Sequence, residues 1–164
     1  MLLPDVILTH LNYTAWASTR LVEAAAALSE EELTRDFGTA DKSVLGTLVH
    51  VLAADRIWHS RVIGAPRTTF IDPEDYSLKV LQTEWPVVHE KWAGYAAGIT
   101  PESAAQVIEF KDLRGNPHRQ PLWQILLHMV NHGTHHRGQA VGFLRTMGHK
   151  PPALDLIFYY RSIA

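Results

Sequence analysis

Apolar positions recur at intervals of three and four along most of the chain, the spacing that gathers side chains on one face of an α-helix. The first such segment, "PDVILTHLNYTAWASTRLVEAAAAL" from Pro4 to Leu28, ends in an alanine-rich stretch that favours helix. "SEEE" at 29–32 has the Ser-x-x-Glu spacing of a capping box and predicts a short helical turn after a break. A second helix is expected over residues 42–63, with Asp41 or Ser43 as N-cap and Gly64 to Pro66 as its stop. "RTTFIDPEDY" reads as a loop. A third helix is expected from Leu78 to about Ala97 with Ser77 as its cap; Pro86 should kink it or mark its true first turn. The β-branched run before "DLRGN" and the polar run after it predict a short β-hairpin or extended loop. Pro121 then opens a fourth long helix, which runs to about Met147 and is stopped by Gly148 and the pair Pro151–Pro152. "ALDLIFYYRSI" closes the chain as a short helix. Four long helices with short connections predict an all-α bundle, and without repeats, linkers or low-complexity segments residues 1–164 read as a single domain.

Composition narrows the function. Hydrophobic residues make up 46% and charged residues 20%, as in an ordinary soluble globular protein. The formal net charge is −2 with both signs interspersed, so no basic stripe suggests a nucleic-acid partner. No run of eighteen apolar residues predicts a membrane span. "MLLPDVILTH" carries neither a basic n-region nor a small-residue cleavage site, so no export signal is read there and cytoplasm is the default. Cysteine is absent, which removes disulfides, thiolate metal ligands and a cysteine nucleophile.

Histidine is the departure from the ordinary. There are ten, and His128, His132, His135 and His136 fall together inside the fourth long helix, where "NHGTHHRGQ" also spends two glycines. With about 100° per residue and His132 at zero, His136 lies near 40°, Gln139 near −20°, His128 near −40° and His135 near −60°. Ile125 and Phe143 share that stripe, so the imidazoles point inward, where unpaired ones would be costly. Histidines at i and i+4 can share one divalent cation, here as His128/His132 or His132/His136. A further ligand must come from elsewhere, and His50, among Gly46, Thr47, Ala53, Ala54 and Ile57 on the second helix, is the best candidate. Other metal templates fail: "HEKWA" lacks the second histidine of H-E-x-x-H, and no glutamate precedes a histidine of this cluster by three.

At these residues the chain resembles the DinB/YfiT-like superfamily, which takes in bacillithiol S-transferase-like proteins and mycothiol-dependent maleylpyruvate isomerases. The resemblance is carried by "NHGTHHRGQ" and continues through "FLRTMGHKPPALDLIFYY"; "HVLAADRIWHSRVIG" and "YTAWASTRLVEAA" add to it. It implies an up-down-down-up four-helix bundle, commonly a homodimer, with a divalent metal, often nickel or zinc, on three histidines. By position those are His50, His132 and His136, which leaves His128 outside the set. The expected function is a metal-dependent enzyme that transfers a low-molecular-weight thiol to an electrophile or performs metal-assisted hydrolysis. The rival is a non-catalytic metal or small-ligand binding protein of stress response. With no cysteine in the chain, any reacting sulfur must arrive on a small molecule.

The remaining polar residues carry expectations of their own. Asp55, about 140° from His50, should face solvent or an ion pair with a neighbouring helix, and Arg137 an interhelical or dimer ion pair. Gln139 could hydrogen-bond substrate or a ligand histidine, and His135 could orient His50 or a carboxylate. Tyr13, Trp16 and Arg20 read as a core stripe, and Tyr159 and Tyr160 as a lid. Gly138 and Gly142 suit the close approach of a neighbouring helix, whereas Gly133 has no evident reason.

Overall fold

The computed structural model describes residues 3–65 and 69–164, so Pro66 and the first two residues of the expected "RTTFIDPEDY" loop lie outside it. The long helices are α1 (Leu3–Ala26), α3 (Val44–Val62), α4 (Leu78–Ala97) and α6 (Leu122–Thr146). Short ones are α2 (Glu30–Thr34), α5 (Pro101–Ala105) and α7 (Leu156–Ser162), with a single 3-10 turn at Pro73–Asp75. Ser29 and Glu32 form the expected reciprocal capping box at the start of α2.

Helices α1 and α3 lie diagonally across the bundle, each packed against both α4 and α6. Along α3, Asp55 and then His59 meet Trp85 and then Trp92 of α4, so these two helices run parallel. His50 and then Trp58 meet His132 and then His128 of α6, the opposite order, so α3 and α6 are antiparallel. These directions agree with the up-down-down-up bundle.

Helix α3 is buried around most of its circumference, from Val44, Leu48 and Leu52 to Val49, Ala53 and Ile57. It therefore has no polar face to solvate, and a histidine on it sits at an interior seam. The remaining core comes from Leu21 of α1, Leu81 and Trp85 of α4, and Ile125, Leu126 and Leu144 of α6.

Strands β1 (Val107–Lys111) and β2 (Pro117–Pro121) form the expected antiparallel hairpin, with Phe110 opposite His118. Its turn is closed by the Asp112 carboxylate, which accepts the backbone N–H groups of Arg114 and Asn116 at 2.8 and 2.9 Å, and by Gly115 at φ +85°. Phe110 meets Trp58 edge-on at 5.1 Å and so docks the hairpin on α3.

Several expectations are corrected. Pro86 does not mark the first turn of α4, which begins eight residues earlier, and Ser77 stands at the cap position without a side-chain capping bond. Pro121 ends β2 and flanks α6 rather than lying inside it. An alanine's Cβ at Gly138 or Gly142 would meet nothing within 4 Å, so neither glycine seats a neighbouring helix among the described residues. Tyr159 packs with Tyr13 and Ala17 in a small second core, and the Tyr160 hydroxyl lies 3.3 Å from His10 Nε2. The two tyrosines thus fasten α7 to α1 rather than forming a lid. Tyr13 and Trp16 do belong to this core, while exposed Arg20 lies over the Trp16 ring from outside at 4.5 Å.

Candidate metal centre

The site is built from the start of α3. Ser43 caps that helix by accepting the Gly46 N–H at 3.0 Å, which leaves Asp41 free of the capping role. Lys42 takes the left-handed conformation, φ +62°, and turns Asp41 back along the helix. The return is so tight that a Cβ on Gly46 would collide with the Asp41 carbonyl, so only glycine fits the first turn of α3.

Behind this turn the three histidines converge. His50 Nε2 and His132 Nε2 are 3.1 Å apart, and the rings of His50 and His136, and of His132 and His136, have centroids 4.4 Å apart. One nitrogen from each ring lies within 4.8 Å of the other two, so the cluster could hold a metal ion. The Asp41 carboxylate reaches around the far side, Oδ1 at 3.3 Å from His50 Nδ1 and Oδ2 at 3.4 Å from His136 Nδ1. Gln139 Oε1 lies 2.8 Å from the same His136 nitrogen.

These contacts assign protons. Acceptors beside Nδ1 of His50 and His136 favour the tautomer with hydrogen on Nδ1 and a lone pair on Nε2. Two bare nitrogens 3.1 Å apart repel unless a cation or proton lies between them. At that separation one divalent ion would come within bonding reach of both nitrogens. Burial holds the His132 imidazole down to about 3, with His136 and His50 adding to the effect. Burial lowers His50 too, against the pull of Asp41. Neutral imidazoles are what a metal site requires. The trio is also reachable, with 23% of the His50 side chain and 13% of the His136 side chain exposed.

His128 stays outside the trio, its ring 5.6 Å from His132 and 5.3 Å from Trp58. Exposed His135 stands edge-on to His136 at 4.9 Å, and the orienting role expected of it falls to Asp41. The sequence held one hint of this: Asp41 and Ser43 competed for one cap, and the loser was a surplus acid beside α3.

Arg137 departs from expectation, while Asp55 takes the inward of its two expected roles and faces the neighbouring helix α4, its Oδ2 3.7 Å from His89 Nε2. Asp55 is buried, not solvated, and accepts the Trp85 indole N–H at 2.7 Å. Arg137 is buried against α1, donating to Ser18 Oγ at 3.4 Å and Thr134 Oγ1 at 3.2 Å with its guanidinium over Tyr13, and forms no ion pair within 4 Å among the described residues. It also explains Gly133, where a Cβ would lie 2.7 Å from Arg137 Nη1.

Fold and site together define a class: helical bundles with a three-histidine cluster at the seam of two antiparallel helices. The chain belongs to the DinB family, whose model matches residues 4–163. A crystal structure of a DinB-like protein from Bacillus cereus ATCC 10987 has the same fold, with a TM-score of 0.64 at 19% identity over 88% of this chain and 94% of that one. No curated protein matches the sequence. No helix among the described residues is long and apolar enough to cross a membrane.

Proposed function

We propose that the protein is a metal-dependent enzyme, with nickel or zinc held by His50, His132 and His136, that transfers a low-molecular-weight thiol to an electrophile. The observation that carries this reading is the convergence of three reachable imidazoles with a carboxylate placed behind two of them. Three protein ligands leave positions for other molecules, as catalytic rather than structural sites do. A divalent ion there supplies Lewis acidity, under which a bound thiol loses its proton.

The chain's own residues have definable tasks. Asp41 holds the Nδ1 protons of His50 and His136 and fixes both rings, and Gln139 supports His136. Helices α3 and α6 hold the three rings at fixed separation. With no cysteine in the chain, the thiol is a diffusible co-substrate. Metal-assisted hydrolysis would use the same arrangement. We further propose a cytoplasmic homodimer, following the family resemblance.

The test is turnover by chelator-treated protein reloaded with Zn²⁺ or Ni²⁺, over a panel of small thiols with electrophiles and of hydrolysable esters and amides. Metal-dependent turnover that disappears in His132→Ala is expected. Stoichiometric metal with saturable ligand binding and no turnover would instead assign a non-catalytic metal or small-ligand binding protein of stress response.

A further inference from the structure

Along the α3–α6 seam from the histidines, a groove of about 460 Å³ opens between the two helices and the hairpin. That volume suits a small organic ligand. Its walls are the rings of Trp58, Phe110 and His128, its floor is Ile125, and Arg61 and Gln124 stand at its far end. The rings continue into the candidate metal centre: Phe110 lies 5.1 Å from Trp58, Trp58 5.3 Å from His128, and His128 5.6 Å from His132.

Arg61 is the informative residue. Its guanidinium lies over both Trp58, at 4.6 Å from the ring centroid, and Phe110, at 5.0 Å, so stacking fixes its position. Among the described residues no carboxylate comes within ion-pairing distance of it. Asp112 acts on it only from farther away and is itself engaged by Asn116, the Arg114 N–H and His118. A guanidinium held over two rings, partly desolvated and beyond ion-pairing reach of Asp112, the acid that shares this groove, is prepared for a planar anion, which it grips through two parallel N–H donors. Its side chain points back toward the start of α3, over a residue one turn earlier, and so toward His50.

We infer that this groove recognises an organic acid with a flat aromatic body, its carboxylate on Arg61 and its ring against the wall that Trp58, Phe110 and His128 form, so that its other end lies toward His132. As an account of substrate choice it rests on the metal-centre reading above; as a binding site it stands alone. The test uses metal-free protein and three probes of similar length: 4-phenylbutyrate, its neutral amide 4-phenylbutyramide, and hexanoate. Binding is followed by ¹H–¹⁵N NMR on the Trp58 indole resonance, assigned with Trp58→Phe. The acid is expected to bind at least tenfold more tightly than either the amide or hexanoate. Arg61→Gln should abolish the preference for acid over amide, Arg61→Lys should keep part of it, and His132→Ala should leave it intact. Equal binding of acid and amide, no shift at Trp58, or an unchanged preference in a folded Arg61→Gln protein would overturn the inference. Acid-selective binding by a protein that takes up no metal would sink the metal-centre reading and leave this one standing.

Discussion

His136 and Arg137 are neighbours on α6, yet they belong to two polar clusters that handle burial in opposite ways. His136 joins a partly buried trio whose nitrogens aim at one point and whose carboxylate, Asp41, stands behind the rings. Arg137 joins an interior cluster with Asp55 and His89, drawn from α6, α3 and α4, in which Asp55 and Arg137 are each 2% exposed. There the carboxylate takes the Trp85 indole N–H, the Asp55 carbonyl takes that of Trp92 at 3.1 Å, and His89 Nε2 stands 3.7 Å from Asp55 Oδ2. Convergent acceptors near a surface invite a cation. Opposite charges sealed in the interior offset one another and hold helices together, as the same residue types can do when the solvent is gone.

If that distinction is right, mutations in the two clusters separate stability from metal binding. The largest effect on folding should come from Arg137→Met at pH 8, which leaves Asp55 buried without its nearby cation. A loss of about 1–3 kcal/mol in urea unfolding is expected, with metal stoichiometry retained by the folded fraction. Asp41→Asn should do the reverse, weakening Zn²⁺ affinity about ten- to a hundredfold in titration while moving the metal-free unfolding midpoint little.

The interior cluster should also leave a signature in pH. Burial pushes the Asp55 carboxyl up to about 7, against the Trp85 hydrogen bond and Arg137. Between its ordinary value of 3.8 and about 7 the folded chain holds a proton that the unfolded chain has lost, so this group's contribution to stability falls as pH rises. Burial takes His89 down to about 4, with Arg137 adding to the effect, so between about 4 and 6.5 the unfolded chain holds the extra proton and stability rises with pH. The two slopes oppose each other over most of that window. Relative to wild type, Asp55→Asn should therefore gain stability as pH rises from about 4 to about 7, and His89→Gln should lose it as pH rises from about 4 to 6.5, each by at most about 1.4 kcal/mol per pH unit. Urea midpoints measured against pH decide this, and profiles parallel to wild type would contradict it. The smallest expected effect is Gly133→Ala: displacement of Arg137 outweighs the better helix propensity, for a net loss of about 1 kcal/mol in thermal unfolding.

What could be read from the sequence follows the same division. The long helices and the hairpin were legible because each rests on a short-range period, three and four for the bundle, alternation and a turn for the hairpin; for the histidines the i, i+4 spacing left His128/His132 and His132/His136 open, and the family resemblance chose between them. The interior cluster was not. Reading one inward stripe on α6 placed Arg137 off it, but α6 packs against both α3 and α1, and Arg137 faces the second of these. Asp41 depends on a left-handed Lys42 and a glycine one turn into α3, a fold-back that no periodicity encodes. Helix α5 was missed because five residues held by Thr100 and Ser103 are too short to show a period.

The central claim, that His50, His132 and His136 bind one cation together, is tested most directly by calorimetric titration of chelator-treated protein with Zn²⁺ and Ni²⁺. One ion per chain in the wild type, with at least a hundredfold weaker binding in folded His50→Ala and His132→Ala, is the expected result. Unchanged stoichiometry and affinity in either variant would contradict it.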